Sequence, residues 1–395
     1  MNNTVSSIQM ICRVCPEGQK LTSAAVEYAL PVDGSSLGQS SYIINGRTVT
    51  AVYASETAEE GKAAALGRFV IIEMDTKEKA AELTGFDKPG PDGVFERYTP
   101  ACSVRQVLPV RLSDGTEVPA WEEEIAAEGE IEPLAEKFTQ HVYHSERTGR
   151  DLPYNLFLPK NYSEDGSYPM VLYIHDRGPL SSDVKTTLRQ GIGALVFVKD
   201  RVQDATPCIV VAPQYAEVPM NDRTPGEESD GPDMLETTFD LLEDLLGRYA
   251  VDRSRVYTTG QSMGCMSSIA MGIRRPDFFT AFLLVAGQWD PEAMLALCDM
   301  KALIIISRGD PRAYDGMNES LVLMEAHGAK IERGEWDQDG GVVPPEQVEE
   351  LLGREANIHY AVLKTEERGF QCHMATWQVA YGIDGAVDWL LQQRK

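Results

Sequence analysis

Positive charge is scarce in this sequence beside negative charge. Across 395 residues, 36 Lys and Arg stand against 61 Asp and Glu, for a net charge of −25. Phosphate backbones are held by clustered cations, so this balance excludes a nucleic-acid binder. It also disfavours adsorption to anionic membranes. Long apolar runs are missing too. AFLLVAG and ALIIIS are strand-sized, far short of the ~20 residues a membrane span requires. The opening MNNTVSSIQMICRV has neither a basic n-region nor an apolar h-region. That predicts a cytoplasmic protein, unless an export signal preceded this chain. Cysteines number seven, an odd and scattered set that suits a reducing compartment better than a disulfide framework. Cys12-Arg-Val-Cys15 has the spacing of a zinc or redox pair, yet no second Cys or His pair follows at zinc distance. The alternation of IQMICRV makes it part of a strand instead. There is no internal repeat and no low-complexity tract.

What is present is ordinary for a folded protein: 43% hydrophobic and 25% charged residues. The length implies two or three domains, because one core stops growing near ~250–300 residues. Residues 1–121 are rich in β-prone runs. SSYIINGRTVTAVYA carries the hairpin signal Asn45-Gly46, Asp114-Gly115 marks another tight turn, and a β-sandwich is the expected result. The acidic stretch 122–137, EEEIAAEGEIEPLAEK, is predicted to be a linker or a short helix. From 138 to 395 strands and helices alternate. YPMVLYIHD, PCIVVAPQY, SRVYTTG, FTAFLLVAG, KALIIISRGD and IHYAVLK are strand-like, and MLETTFDLLEDLLGRYAVD has helical spacing. That alternation predicts an α/β fold, a mostly parallel sheet with helices on both faces.

Within this second part lies VYTTGQSMGC. Gly260-Gln-Ser-Met-Gly264 follows a strand and opens a helix, the setting of a nucleophile elbow. A serine there sits on a sharp turn that exposes its hydroxyl, and the flanking glycines let strand and helix approach. Ser262 then needs a base and an acid, expected in the order Ser, acid, His. Asp310 ends the strand KALIIISRGD, and Asp315 is the rival acid five residues on. His373 is predicted in a loop just ahead of the terminal helix; His141, His144, His327 and His359 do not follow the acid in a late loop. An oxyanion hole needs two backbone donors. Met263, after the serine, supplies one. The other is expected from Asp176 or Arg177 in the loop His175-Asp176-Arg177-Gly178. Gln214 with Tyr215, and Gln288 with Trp289 and Asp290, follow strands at the end of the sheet where ligands bind. Gln214, Gln288 and Trp289 are the substrate-binding candidates, with Trp289 either stacking on an aromatic acyl group or capping the core. Trp377 is expected to be structural. Cys265 and Cys372 are expected to be small buried fillers. Residues 217–234 form either a lid or a solvated loop.

YNLFLPKNY, VLYIHD, VVAPQY, VDRSRVYTTGQSMGC, LLVAGQWD, IIISRGDPRAY and HMATWQVAYGIDGAVDWL together resemble an α/β-hydrolase. The branch is that of polyhydroxybutyrate depolymerases and feruloyl esterases, also grouped with predicted peptidases. The resemblance covers residues 138–395, and the amino-terminal part resembles the immunoglobulin-like domain of some bacterial members more loosely. It implies an α/β-hydrolase fold preceded by an all-β immunoglobulin-like sandwich. It further implies a serine carboxylic-ester hydrolase without metal or organic cofactor, acting through an acyl-enzyme on short-chain or aromatic, feruloyl-type esters. Peptide hydrolysis by the same three residues is the alternative. A non-catalytic binding protein on a hydrolase scaffold is a third. A small-molecule ester would be the partner, with a homo-oligomer through the amino-terminal domain as a further expectation.

Overall fold

The computed structural model describes residues 4–88, 93–220, 233–338 and 340–395. Two compact units divide the chain. The first comprises Met1–Gly85 and Glu96–Glu136, the second Phe86–Phe95 and Lys137–Lys395.

In the first unit a five-stranded sheet runs in the order Gly129–Ile131, Val5–Cys15, Gly18–Asp33, Leu66–Met74, Val49–Ser55. A three-stranded sheet joins Ile125–Ala126, Ser103–Gln106 and Tyr42–Ile44. Ile8, Val26, Val70 and Ile72 of the larger sheet share one core with Tyr42, Ile44 and Val104 of the smaller. Each of these buried side chains stabilises by roughly 1.5–3 kcal/mol relative to exposure. Two sequence expectations are corrected here. The stretch 122–137 is more than a linker or a short helix: Gly129–Ile131 pairs in parallel with Val5–Cys15, Ile125–Ala126 pairs antiparallel with Ser103–Gln106, and only Ala135–Lys137 forms a short 3-10 helix. And Phe86–Phe95, counted with the β-rich part by sequence, packs with the second unit.

The second unit is built on a nine-stranded sheet among the described residues. Its strands are β1 (Thr139–Ser145), β2 (Arg150–Phe157), β3 (Tyr168–Ile174), β4 (Ile209–Pro213), β5 (Val251–Gln261), β6 (Ala281–Val285), β7 (Ala302–Ser307), β8 (Ile331–Trp336) and β9 (Ile358–Leu363). They lie in the order 1-2-4-3-5-6-7-9-8. The β1–β2 and β2–β4 pairs are antiparallel and every other pair is parallel. β4, β6, β7 and β9 are buried along their whole length, which is why they read as continuous apolar runs. Leu172, Ile174, Val211, Leu284 and Ile304 turn to one face, where they meet Leu235 and Phe239 of the helix Met234–Arg248, Ile269 of Met263–Arg274 and Leu321 of Ala313–Ala326. The helices Phe370–Ala380 and Asp384–Gln392 pack on strands β5 to β7. The helix Met234–Arg248 starts where it does because the Asp233 carboxylate accepts the Leu235 and Glu236 N–H groups, a cap worth about 1 kcal/mol. Of the acidic excursion expected over 217–234, residues 221–232 lie outside the described residues. Among the described residues, no helix is long and apolar enough to cross a membrane.

Candidate active site

The carboxyl ends of β3, β5, β6 and β7 meet at one cavity of about 340 Å³. β5 pairs with β3 up to Ile174 and Gly260, so the loop after β3 runs beside the turn after β5. Ser262 occupies that turn with φ 51° and ψ −114°, a positive φ that costs a non-glycine residue energy and persists only where its surroundings hold it. Its N–H donates to the Val285 carbonyl at 3.0 Å, and its carbonyl accepts the Met266 N–H at 3.0 Å. The glycines make this possible by absence. A Cβ on Gly264 would lie 1.9 Å from the Ile174 carbonyl oxygen, and one on Gly260 would lie 2.5 Å from the same atom.

Three side chains join in line. His373 Nε2 is 2.9 Å from Ser262 Oγ, and His373 Nδ1 is 2.5 Å from Asp310 Oδ2. Asp310 is 1% exposed, and its other oxygen accepts the N–H groups of Arg312 and Ala313, each at 3.0 Å. Burial pushes the Asp310 carboxyl pKa up. The His373 hydrogen bond and charge, together with the two N–H groups, outweigh it and hold the carboxyl below its ordinary value. Nδ1 of His373 therefore faces a carboxylate that can only accept, which leaves Nε2 free to receive the serine proton. Asp315 takes no part. Its side chain is 68% exposed and lies 3.9 Å from Arg368.

His373 differs from the sequence expectation. It stands in the first turns of the helix Phe370–Ala380, not in a loop before it. Phe370 and Trp377, three residues before and four after, share its helical face. The Phe370 ring is tilted against the imidazole at 5.6 Å, and Trp377 meets it edge-on at 5.1 Å. Both line the cavity. Trp377, expected to be structural, thus also walls the site.

The remaining candidates divide. Met263, Asp176, Arg177 and Gln288 line the cavity. Gln214 does not. It is 1% exposed, and its amide is used within the fold, accepting the Thr187 N–H at 2.7 Å and donating to the Pro179 carbonyl at 2.7 Å. Trp289 is not among the lining residues and packs against the core, the capping alternative. Cys265 is buried, and burial raises its thiol pKa; Cys372 is raised for the same reason. Phe86 and Met266 were not foreseen and also line the cavity. Among the described residues, no group of His, Cys, Asp and Glu is placed to hold a metal ion.

His175 is fully buried beneath the loop it begins. Its Nε2 accepts the Tyr215 N–H at 3.0 Å, so Nδ1 carries the proton and donates to the Asp176 carbonyl at 2.6 Å. Burial pushes its pKa down to about 4, against the opposing bond to Asp176. In the unfolded chain the ring takes a proton near pH ~6.5, which the folded protein refuses until the pH approaches the lower value. The contribution of His175 to stability is therefore constant above that window and falls as pH drops through it, by up to about 3 kcal/mol at pH ~4. Denaturant unfolding at successive pH values checks this. His175→Gln, which does not titrate, flattens the part of the decline between pH ~6.5 and ~5, above the carboxylate range.

Family models divide the sequence much as its texture does. An esterase Ig-like N-terminal domain matches residues 7–119, and the Esterase family matches residues 145–352. The chain belongs to the Esterase family. It is a carboxylic-ester hydrolase with an α/β-hydrolase fold and an immunoglobulin-like domain ahead of it. Its fold is similar to that of a thermostable esterase of known crystal structure, 23% identical, over 99% of this chain and 100% of that one at a TM-score of 0.83. The feruloyl esterase module from Clostridium thermocellum is 14% identical, over 62% of this chain and 87% of that one, with a TM-score of 0.40. An S-formylglutathione hydrolase from Agrobacterium tumefaciens is also 14% identical, over 66% and 96%, with a TM-score of 0.43. Among curated proteins, none matches.

Proposed function

We propose that Ser262, His373 and Asp310 hydrolyse short-chain or aromatic carboxylic esters through an acyl-enzyme. The observation that carries this reading is the unbroken line Ser262 Oγ, His373 Nε2, His373 Nδ1, Asp310 Oδ2, at 2.9 and 2.5 Å, beside a largely apolar cavity. In the first half-reaction Ser262 Oγ attacks the ester carbonyl while His373 takes its proton. His373 then returns that proton to the departing alcohol. Water repeats the sequence on the acyl-enzyme and frees the acid. Asp310 keeps the imidazole in the accepting tautomer and stabilises the imidazolium.

The developing oxyanion needs N–H donors. Met263 N–H, at the first position of its helix, has no partner of its own within the helix. For the second donor, one detail favours Arg177 over Asp176. The Asp176 carbonyl is held by His175, so in a trans peptide the Arg177 N–H points the other way, out of the buried layer.

Phe86, Phe370, Trp377 and Met266 wall the cavity, which suits a flat apolar acyl group. A panel of acetyl, butyryl, longer-chain and feruloyl aryl esters tests this, with fluorophosphonate labelling of Ser262 as the companion measurement. Failure to label the folded protein would move the nucleophile elsewhere. Phe370→Leu is expected to lower the ratio of kcat/KM for a cinnamoyl ester over an acetyl ester by about three- to tenfold, the scale of one aromatic contact. An unchanged ratio would remove the aromatic acyl group from this wall.

A further inference from the structure

Four buried polar side chains behind the cavity have no part in the chemistry above. Gln190 Nε2 donates to Tyr173 Oη at 2.8 Å, Tyr173 Oη donates to Gln261 Oε1 at 2.9 Å, and Gln261 Nε2 donates to Asp176 Oδ2 at 3.1 Å. Every bond points the same way, and the run ends on a carboxylate at the cavity wall. None of the four residues is more than 8% exposed. Tyr173 is held further by the edge-on ring of Tyr381 at 6.0 Å. Four polar groups removed from water are costly unless mutually satisfied, and once satisfied they fix one geometry.

The ends of the run give it a purpose. Gln261 immediately precedes Ser262. Asp176 Oδ1 accepts the Gly178 N–H at 2.8 Å, the bond of an Asx turn, in which a carboxylate closes the chain two residues on. The residue enclosed by that turn is Arg177. The run therefore ties the last residue before the nucleophile to the turn that carries the second oxyanion donor.

We infer that Asp176 is a positioning residue: the run Gln190, Tyr173, Gln261, Asp176 fixes the Arg177 N–H relative to Ser262 and thereby sets the rate of acylation. This rests on the reading of Ser262 as nucleophile and Arg177 as donor. A role through hydrogen bonding differs from a role through charge, in which the Asp176 carboxylate would attract the His373 imidazolium. The two part at Asp176→Asn. An asparagine keeps the Gly178 bond through Oδ1. Its Nδ2 can donate to Gln261 Oε1 if the Gln261 and Gln190 amides turn over and the Tyr173 hydroxyl reverses, so the whole run survives with its direction inverted.

The test compares full-length wild type with Tyr173→Phe, Asp176→Ala and Asp176→Asn on an aryl acetate. Inhibition by an aryl trifluoromethyl ketone, which mimics the tetrahedral intermediate, and thermal unfolding are followed alongside. Tyr173→Phe and Asp176→Ala are expected to lower kcat by roughly ten- to a hundredfold, less than loss of an oxyanion donor itself, with KM moving under about threefold. Ketone affinity falls by the same factor as kcat/KM. Asp176→Asn recovers most of the loss. If Asp176→Asn is as impaired as Asp176→Ala, charge is the agent and the inference is overturned. Unchanged kcat in Tyr173→Phe overturns it as well, and this variant decides if Asp176→Ala does not fold. A wild type inactive on every ester removes the parent reading and this one with it. An active wild type beside unaffected variants removes this one alone.

Discussion

Ser262→Ala is expected to lower kcat/KM for an aryl acetate by about 10⁴-fold or more, with the fold intact. The size follows from what the hydroxyl does. It is poised both to attack a carbonyl and to pass a proton to His373 Nε2, 2.9 Å away. Without it the remaining groups can only bind the ester and polarise it, so a residue of rate above that in water survives. The fold survives because, among the described residues, the hydroxyl's bond to His373 is the polar contact removed, while the backbone bonds that hold the turn are made by N–H and C=O groups. Alanine meets the same positive φ that serine already bears. Initial rates and thermal unfolding on the same preparation check both halves. Activity near the wild-type level would place the nucleophile elsewhere.

Asp310→Asn should cost about 10³–10⁴-fold in kcat while leaving KM and stability nearly unchanged. The reason lies in the two N–H groups of Arg312 and Ala313, which already claim Asp310 Oδ1. An asparagine must turn its carbonyl oxygen toward them, because its amide nitrogen cannot accept. That leaves Nδ2 facing His373 Nδ1, donor against donor. The imidazole escapes only by moving its proton to Nε2, and an Nε2–H cannot take the proton of Ser262. Asp315→Asn is the control, since Asp315 is exposed and lies beside Arg368. Equal losses from the two substitutions would show that the acid had been misassigned.

The elbow was legible in the sequence because its signal is local. A β-branched strand, two glycines at fixed offsets and a helix-compatible run state one geometry within some twenty residues. The order rule then narrowed acid and base to a few positions. What escaped was set by distant contacts or by side-chain direction. Phe86 lies over 170 residues before Ser262, and nothing around it announces a cavity. Gln214 follows a strand at the expected end of the sheet, yet its amide turns inward to Thr187 and Pro179. Residues 125 to 131 alternate with period two, but their glutamates disguised short strands as a charged linker. For Trp377 the signal was available: it stands four residues after His373, one helical turn along the same face.

The strand order 7-9-8 has a consequence in time. A polypeptide leaves the ribosome amino terminus first, at roughly 5–20 residues per second. β8 is therefore made before β9, but its place is outside β9, and among the described residues its sheet hydrogen bonds are to β9 alone. That edge of the sheet stays open until residues 358–363 arrive and slot between two strands already present. His373 follows within ten residues. The turn that holds Ser262 can thus form before His373 is made, and a chain still being synthesised lacks the line from Ser262 through His373 to Asp310. That line is complete only when the last interior strand has closed the sheet and the helix behind it has docked.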